Sequence, residues 1–222
     1  MEQYSSEEQN INSLPRIGEK APDFTAQTTH GEISLQDYQG KWLVLFSHPS
    51  DFTPVCTTEF VGFQKIYETL LELNTELLGL SVDSVASHIS WISDIERSFN
   101  TKIEFPVIAD LNKKVANKYG MVMPESNDTS TSRAVFLIDP EGTVRAVIYY
   151  PLTTGRNSEE IIRLVKALQT TDKHGVSTPI DWEEGDKVIE TPPSTMEEAR
   201  ERLNDNDYEC KDWYFCKKEL EY

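Results

Sequence analysis

The run Trp42–Phe46, inside KWLVLFS at 41–47, constrains the fold most, because no polar residue interrupts it. A strand with one wet face alternates apolar and polar residues. An unbroken run suits a strand covered on both faces, which requires a layer above the sheet and another below. A second such run, TELLGLSVD at 75–83, follows. Between the two, from Thr57 onward, Phe60, Phe63, Tyr67, Leu70 and Leu71 recur at helical spacing. The pattern then repeats. SVASHISWISDIERSF reads as a helix with Ile89, Ile92 and Phe99 among its apolar positions, FPVIAD as a short strand, and NKKVANKYG as a short helix closed by Gly120. RAVFLIDPEGTVRAVIYY reads as a hairpin turning on Asp139-Pro140-Glu141-Gly142, and SEEIIRLVKALQTT as an amphipathic helix started by Asn157 or Ser158. With an early strand in KAPDFTAQTT, this order predicts an α/β sandwich around a mixed sheet.

The chain has 222 residues, enough for one sizeable domain with an appendage or for two small ones. The expected organisation is a flexible arm over residues 1–13, a main domain over 14–172, and an extension over 173–222 that opens with HGVSTPIDWEEGD. PPSTMEEARERLN offers the extension one helix, with Ser194 and Glu197 spaced as a capping box. Charge sets this region apart. Residues 181–222 carry 14 Asp and Glu against 6 Lys and Arg, in a chain whose net charge is −17. That balance argues against nucleic acid or an anionic membrane as partner. The opening MEQYSSEEQN lacks the basic start and apolar run of a secretory signal, and no stretch approaches the ~20 apolar residues of a membrane span. A cytoplasmic protein is expected, in a compartment where thiols stay reduced unless they are in use.

The chain has three cysteines: Cys56, in HPSDFTPVCTTE, and Cys210 and Cys216, six positions apart in YECKDWYFC. Cys56 follows Pro54 at or just inside a helix start, where unpaired amides and the helix dipole favour a thiolate. Position alone leaves a reactive thiol and a small packed residue both open. No second cysteine stands three residues away, so a C-x-x-C redox site is absent. Thr53, three residues before Cys56, can bring a hydroxyl beside the sulfur or can be an ordinary cap; Pro49 and Pro54 stiffen the loop. The terminal pair lacks the close C-x₂₋₄-C spacing of a zinc site, and His174 is remote from it.

PSDFTPVCTTEF resembles the peroxiredoxin active-site pattern P-x-x-x-T-x-x-C, with Pro49, Thr53 and Cys56 in register, and SHPSDFTPVCTTE with His48 is similar to the one-cysteine subfamily. The resemblance runs from about Ile17 to the C-terminus. It implies a thioredoxin-like fold with a C-terminal extension, reduction of hydroperoxides by Cys56 as nucleophile, and no metal or organic cofactor. It also implies that Arg133 in TSRAVF and Arg156 in PLTTGRNSEE are the family's two site arginines, that Glu59 orients an arginine, and that His48 donates to bound peroxide or to the oxidised sulfur. Without the motif, Arg133 and Arg156 read as surface charges, Glu59 as a first-turn acid and His48 as a satisfied histidine.

TPIDW, TPPSTMEEAR and the Cys210/Cys216 pair extend the resemblance to a branch common in archaea and some bacteria. That branch implies resolution of the Cys56 sulfenic acid by a tail thiol from another subunit, Cys216 first with Cys210 as relay. A thioredoxin-like dithiol is then the reductant, and a homodimer, or a ring of five dimers, the assembly. A strict one-cysteine peroxidase and a holdase-type chaperone ring are the alternatives. A phospholipase role, known in some animal relatives, is disfavoured because HGEISLQD lacks the serine motif.

Overall fold

The computed structural model describes residues 14–126, 129–205 and 207–220. The expected N-terminal arm at 1–13 lies outside the described residues. The chain forms two compact units that divide between Arg156 and Asn157, within the stretch assigned above to the main domain.

The first unit is built on a seven-stranded mixed sheet. Its elements in chain order are β1 (Thr25–Thr28), β2 (Gly31–Ser34), a single 3₁₀ turn at Leu35–Tyr38, β3 (Trp42–Ser47), α1 (Pro54–Glu72), β4 (Thr75–Ser81), α2 (Val85–Phe99), β5 (Val107–Ala109), α3 (Lys114–Lys118), β6 (Arg133–Ile138) and β7 (Val144–Tyr150). The strands lie in the order β2-β1-β5-β4-β3-β6-β7. The β3–β4 and β4–β5 pairs are parallel and the β3–β6 and β6–β7 pairs antiparallel.

Every residue of β3 is buried, as its apolar run predicts for a strand covered on both faces, and β6, read as one strand of a hairpin, is buried throughout as well. On one face Leu43, Leu45, Leu78, Leu80, Phe136 and Ile138 join Ala116 and Tyr119 in one core cluster. On the other, Phe46 meets Phe60 and Phe63 of α1, with ring centroids 5.8 and 4.3 Å away. The β6–β7 turn forms where expected: Asp139 Oδ1 accepts from the amides of Glu141 and Thr143, and Gly142 supplies the positive φ of 75°.

Two helical faces differ from the sequence reading. Leu71 is exposed, and Ile66 takes its place on the buried face of α1. In α2, Ile89 and Phe99 are exposed and the buried stripe is His88, Trp91 and Ile95. That stripe has regular helical spacing, but it opens on a histidine and so does not read as apolar.

The second unit holds α4 (Ser158–His174), β8 (Val188–Ile189), α5 (Met196–Leu203), β9 (Glu209–Asp212) and β10 (Phe215–Lys218). Asn157 caps α4, accepting from the amides of Glu159 and Glu160. The capping box of α5 is Thr195 with Glu198, one residue later than Ser194 with Glu197. Ser194 instead bonds the Glu198 carboxylate through its own amide and hydroxyl. Strands β8-β10-β9 form a small antiparallel sheet around Trp182 and Val188, and Cys216 sits opposite Cys210 across the β9–β10 pair. The two sulfurs are joined in a disulfide. Among the described residues, no helix is long and apolar enough to cross a membrane.

Candidate active site

Cys56 is the third residue of α1, within its first turn, and is fully buried. The chain reaches it from the end of β3 through a turn in which Phe52 takes a left-handed φ of 54° and leaves its ring exposed. Pro54 fills the first helical position, where its missing N–H costs nothing. Thr53 is the N-cap residue, yet its side chain makes no capping bond; the hydroxyl donates to the carbonyl of Ser50 at 2.9 Å. The first-turn amides are therefore left uncapped by a side chain, and the hydroxyl keeps its lone pairs free to accept. Pro49 lies half-buried in the same turn.

Arg133 enters from the start of β6 and is buried. Its Nε and Nη2 donate to the carbonyl of Leu152 at 3.0 and 2.8 Å, which fixes the plane of the guanidinium. Nη1 donates to Glu59 Oε2 at 2.6 Å and to Cys56 Sγ at 3.4 Å. One N–H of a buried cation thus points at the sulfur. Glu59 lies three residues after Cys56 on α1 and bridges both arginines. It accepts from the amide, Nε and Nη2 of Arg156 at 3.0, 2.9 and 2.6 Å.

Arg156 Nη1 spends both protons on the carbonyls of Ser47 and Ala134, at 2.8 and 3.0 Å, and its guanidinium lies over the rings of Phe46 and Phe63. Burial pushes the Arg156 pKa down, and the adjacent Glu59 carboxylate opposes that shift. Two guanidiniums against one carboxylate leave one positive charge beside Cys56, which a thiolate would balance.

His48, just after β3, is fully buried against Phe60 and Trp91. Its Nε2 faces Asp51 Oδ1 at 3.0 Å, while its buried Nδ1 has no protein partner among the described residues. Burial depresses the His48 pKa, with the Asp51 hydrogen bond and charge working against it. Asp51 also bonds His88 of α2. Burial pushes the Asp51 pKa up, but its bonds to the two histidines outweigh that and hold it below the ordinary carboxylate range.

His48, Asp51 and His88 are the one donor group among the described residues compact enough to suggest a metal ion. Their N···O separations of 2.9–3.0 Å are hydrogen-bond lengths. Asp51 and His88 escaped the sequence reading. The signal that could have found His88 was its place at the head of the buried α2 stripe.

The structure therefore brings Cys56, Arg133, Glu59 and Arg156 into one buried cluster, with Thr53 and His48 on the loop that leads to it. Cys210 and Cys216 belong to the second unit. A helix-start thiol under a guanidinium, on a mixed sheet of this order, is an arrangement suited to an enzyme that works through a cysteine nucleophile.

The AhpC/TSA family model matches residues 17–147, and the C-terminal domain of 1-Cys peroxiredoxin matches residues 167–206. The chain is 56% identical over 219 residues to a peroxiredoxin of Aquifex aeolicus, covering 94% of this chain and 98% of that protein. It is 53% identical over 218 residues to one from Methanocaldococcus jannaschii, covering 94% and all of that protein. Two solved structures superpose with TM-scores of 0.83 and cover 93% of this chain. One is a yeast mitochondrial 1-Cys peroxiredoxin, 40% identical and covered in full, studied for thiol resolving through glutathione and thioredoxin systems. The other is a cysteine-to-serine mutant of peroxiredoxin 6 of Arenicola marina, 34% identical with 99% covered. The chain belongs to the AhpC/TSA family and is a peroxiredoxin of thioredoxin-like fold, a thiol-dependent peroxidase.

Proposed function

We propose that Cys56 is the peroxidatic nucleophile for hydrogen peroxide and organic hydroperoxides. The observation that carries this reading is the Arg133 Nη1 donor, 3.4 Å from Cys56 Sγ and held by Glu59 and Leu152. The thiolate attacks one peroxide oxygen and the O–O bond breaks. Cys56 becomes a sulfenic acid, and the second oxygen leaves as an oxyanion that takes up a proton. Negative charge moves from sulfur to oxygen along a line that Arg133 and the first-turn amides flank. Thr53 and His48, with Pro49 shaping the turn, orient the peroxide. Arg156 acts by fixing Glu59, since four of its five N–H donors are already committed.

Arg133→Ala is expected to slow the reaction of Cys56 with peroxide ~10²–10³-fold, the cost of deleting one oxyanion donor. Arg133→Lys is expected to recover only part of that, because an ammonium cannot hold Glu59, Leu152 and the sulfur in one plane. Stopped-flow measurement of the second-order rate constant checks both. A rate equal to the parent's in Arg133→Ala would remove Arg133 from the mechanism.

For turnover, the scheme uses the tail of a second subunit. Cys216 attacks the Cys56 sulfenic acid, releasing water and forming an intersubunit disulfide. Cys210 then displaces Cys56 from Cys216, returning the Cys56 thiolate and leaving the Cys210–Cys216 bond. The cross-strand disulfide between the two is the product this scheme requires. Cys210 is half-buried and Cys216 only 1% exposed, so a thioredoxin-like dithiol would attack Cys210 first. Because Cys56 is fully buried, the first turn of α1 must loosen before Cys216 can meet it.

This scheme assigns peroxidase chemistry to residues 14–172 and the resolving tail to 173–222, in a homodimer or a ring of five dimers acting in the cytoplasm. Non-reducing electrophoresis after one equivalent of hydrogen peroxide tests it. A covalent dimer should accumulate in Cys210→Ser and be absent in Cys216→Ser, which should retain a single burst of peroxide reduction. Full multiple turnover in Cys216→Ser with a dithiol would return the protein to a strict one-cysteine cycle.

A further inference from the structure

We propose that His88 is a positioning residue for the peroxidase reaction: acting through Asp51, it holds His48 in the tautomer whose Nδ1 accepts a hydrogen bond. The inference rests on the reading that His48 serves the peroxide reaction.

It follows from counting protons along a buried chain. His88 Nε2 lies 3.1 Å from the carbonyl oxygen of Ile108, which can only accept, so that nitrogen carries a proton. His88 Nδ1 lies 3.0 and 2.9 Å from the two oxygens of Asp51, and a bare nitrogen against a carboxylate is repulsive, so a second proton lies there. His88 and Asp51 together thus hold one proton more than a neutral imidazole and a carboxylate. Asp51 Oδ1 also faces His48 Nε2 at 3.0 Å, and with the carboxylate already engaged by His88 the remaining proton belongs to His48 Nε2. In a neutral ring His48 Nδ1 is then unprotonated. The depression of the His48 pKa by burial agrees with a neutral ring.

His48 Nδ1 is the one ring nitrogen of the two histidines without a protein partner among the described residues, and the side chains of His48, Asp51 and His88 are all at most 1% exposed. A buried acceptor with nothing to accept from is suited to a donor that arrives during the reaction. A hydroperoxide O–H and a sulfenic acid S–O–H are both such donors. His48 then acts as an acceptor, opposite to the donor role the sequence suggested. The same anchor restrains the loop, since Asp51 lies two residues before Thr53 and its amide donates to Asp83 Oδ2 at 3.1 Å.

The test uses full-length reduced protein. With ¹⁵N-labelled histidine, NMR should show His48 as the Nε2–H tautomer and His88 protonated on both nitrogens, or sharing the second proton with Asp51. His88→Leu should slow the reaction with hydrogen peroxide ~10-fold, a coupling of ordinary size for one contact network, and leave iodoacetamide alkylation of Cys56 within about 2-fold of the parent. His88→Gln, which keeps an amide donor for Asp51, should recover most of the loss. In a His48→Phe background, His88→Leu should add no further loss. A proton on His48 Nδ1 in the parent overturns the proposal whether or not the variants fold. So does an equal loss from His88→Leu in both backgrounds. If His48→Phe alone reacts with peroxide at the parent rate, the underlying role of His48 fails instead.

Discussion

Cys56→Ser is expected to reduce peroxide consumption to the uncatalysed background while leaving the fold intact. The chemical loss is complete because the reaction needs an anionic, polarisable nucleophile, and a serine hydroxyl at neutral pH offers neither. The structural cost is small. The position is fully buried, the serine oxygen is smaller than sulfur, and it can still accept from Arg133 Nη1, so no donor is orphaned. The informative result is therefore a pair: no peroxide loss above buffer, and an unfolding midpoint close to the parent's. Near-parent peroxidase activity in Cys56→Ser would falsify the assignment of the nucleophile. Holdase activity that survives in the same variant would show that client binding is a separate property.

The sequence was most legible where function and local structure share residues. Pro54 starts α1, Thr53 precedes it and Cys56 sits within the first turn, so a single stretch of eight residues, Pro49–Cys56, carries both a helix start and the cysteine proposed as nucleophile. The unbroken run of β3 likewise announced a strand covered on both faces. What the sequence could not convey is how partners far apart in the chain meet. Glu59 bonds Arg133, 74 residues on, and Arg156, 97 residues on, and only the β3–β6 pairing and the loop after β7 bring all three together.

Elsewhere polarity hid the pattern. His88 occupies a core position of α2 because Asp51 and Ile108 satisfy its ring, whereas Ile89 beside it is exposed. The three-stranded sheet of the second unit was missed for a related reason. Strands β8, β9 and β10 are two to four residues long, and β9, Glu-Cys-Lys-Asp, has no apolar alternation to read. Its register is held instead by backbone pairing and the Cys210–Cys216 bond.

Glu59→Gln is expected to produce the largest loss of stability of any single substitution at this site. In the parent, the Glu59, Arg133 and Arg156 side chains are at most 3% exposed, and the carboxylate lies 2.6 Å from a guanidinium nitrogen of each arginine. Both arginines are buried away from water, so removing the shared anion leaves two cations with only the Cys56 sulfur to set against them. Breaking one buried pair costs about 3–5 kcal/mol, and here the same deletion breaks two. The amide makes matters worse, because its NH₂ group presents protons where the guanidiniums also present protons. In a protein of this size each kcal/mol lowers the melting temperature by roughly 2–4 °C, so the cost of one pair alone corresponds to a fall of roughly 6–20 °C by calorimetry, and the loss of both should reach at least that range. Glu59→Asp keeps the charge but is one methylene shorter; it can hold one arginine and not both, and should fall between parent and Glu59→Gln. The same measurement separates two roles for the carboxylate. If Glu59 only tuned the charge at Cys56, peroxide reactivity would change while the midpoint stayed within a degree or two of the parent's. Loss of both together means that the tie between α1, β6 and the loop after β7 is itself the scaffold that aims Arg133 at the sulfur.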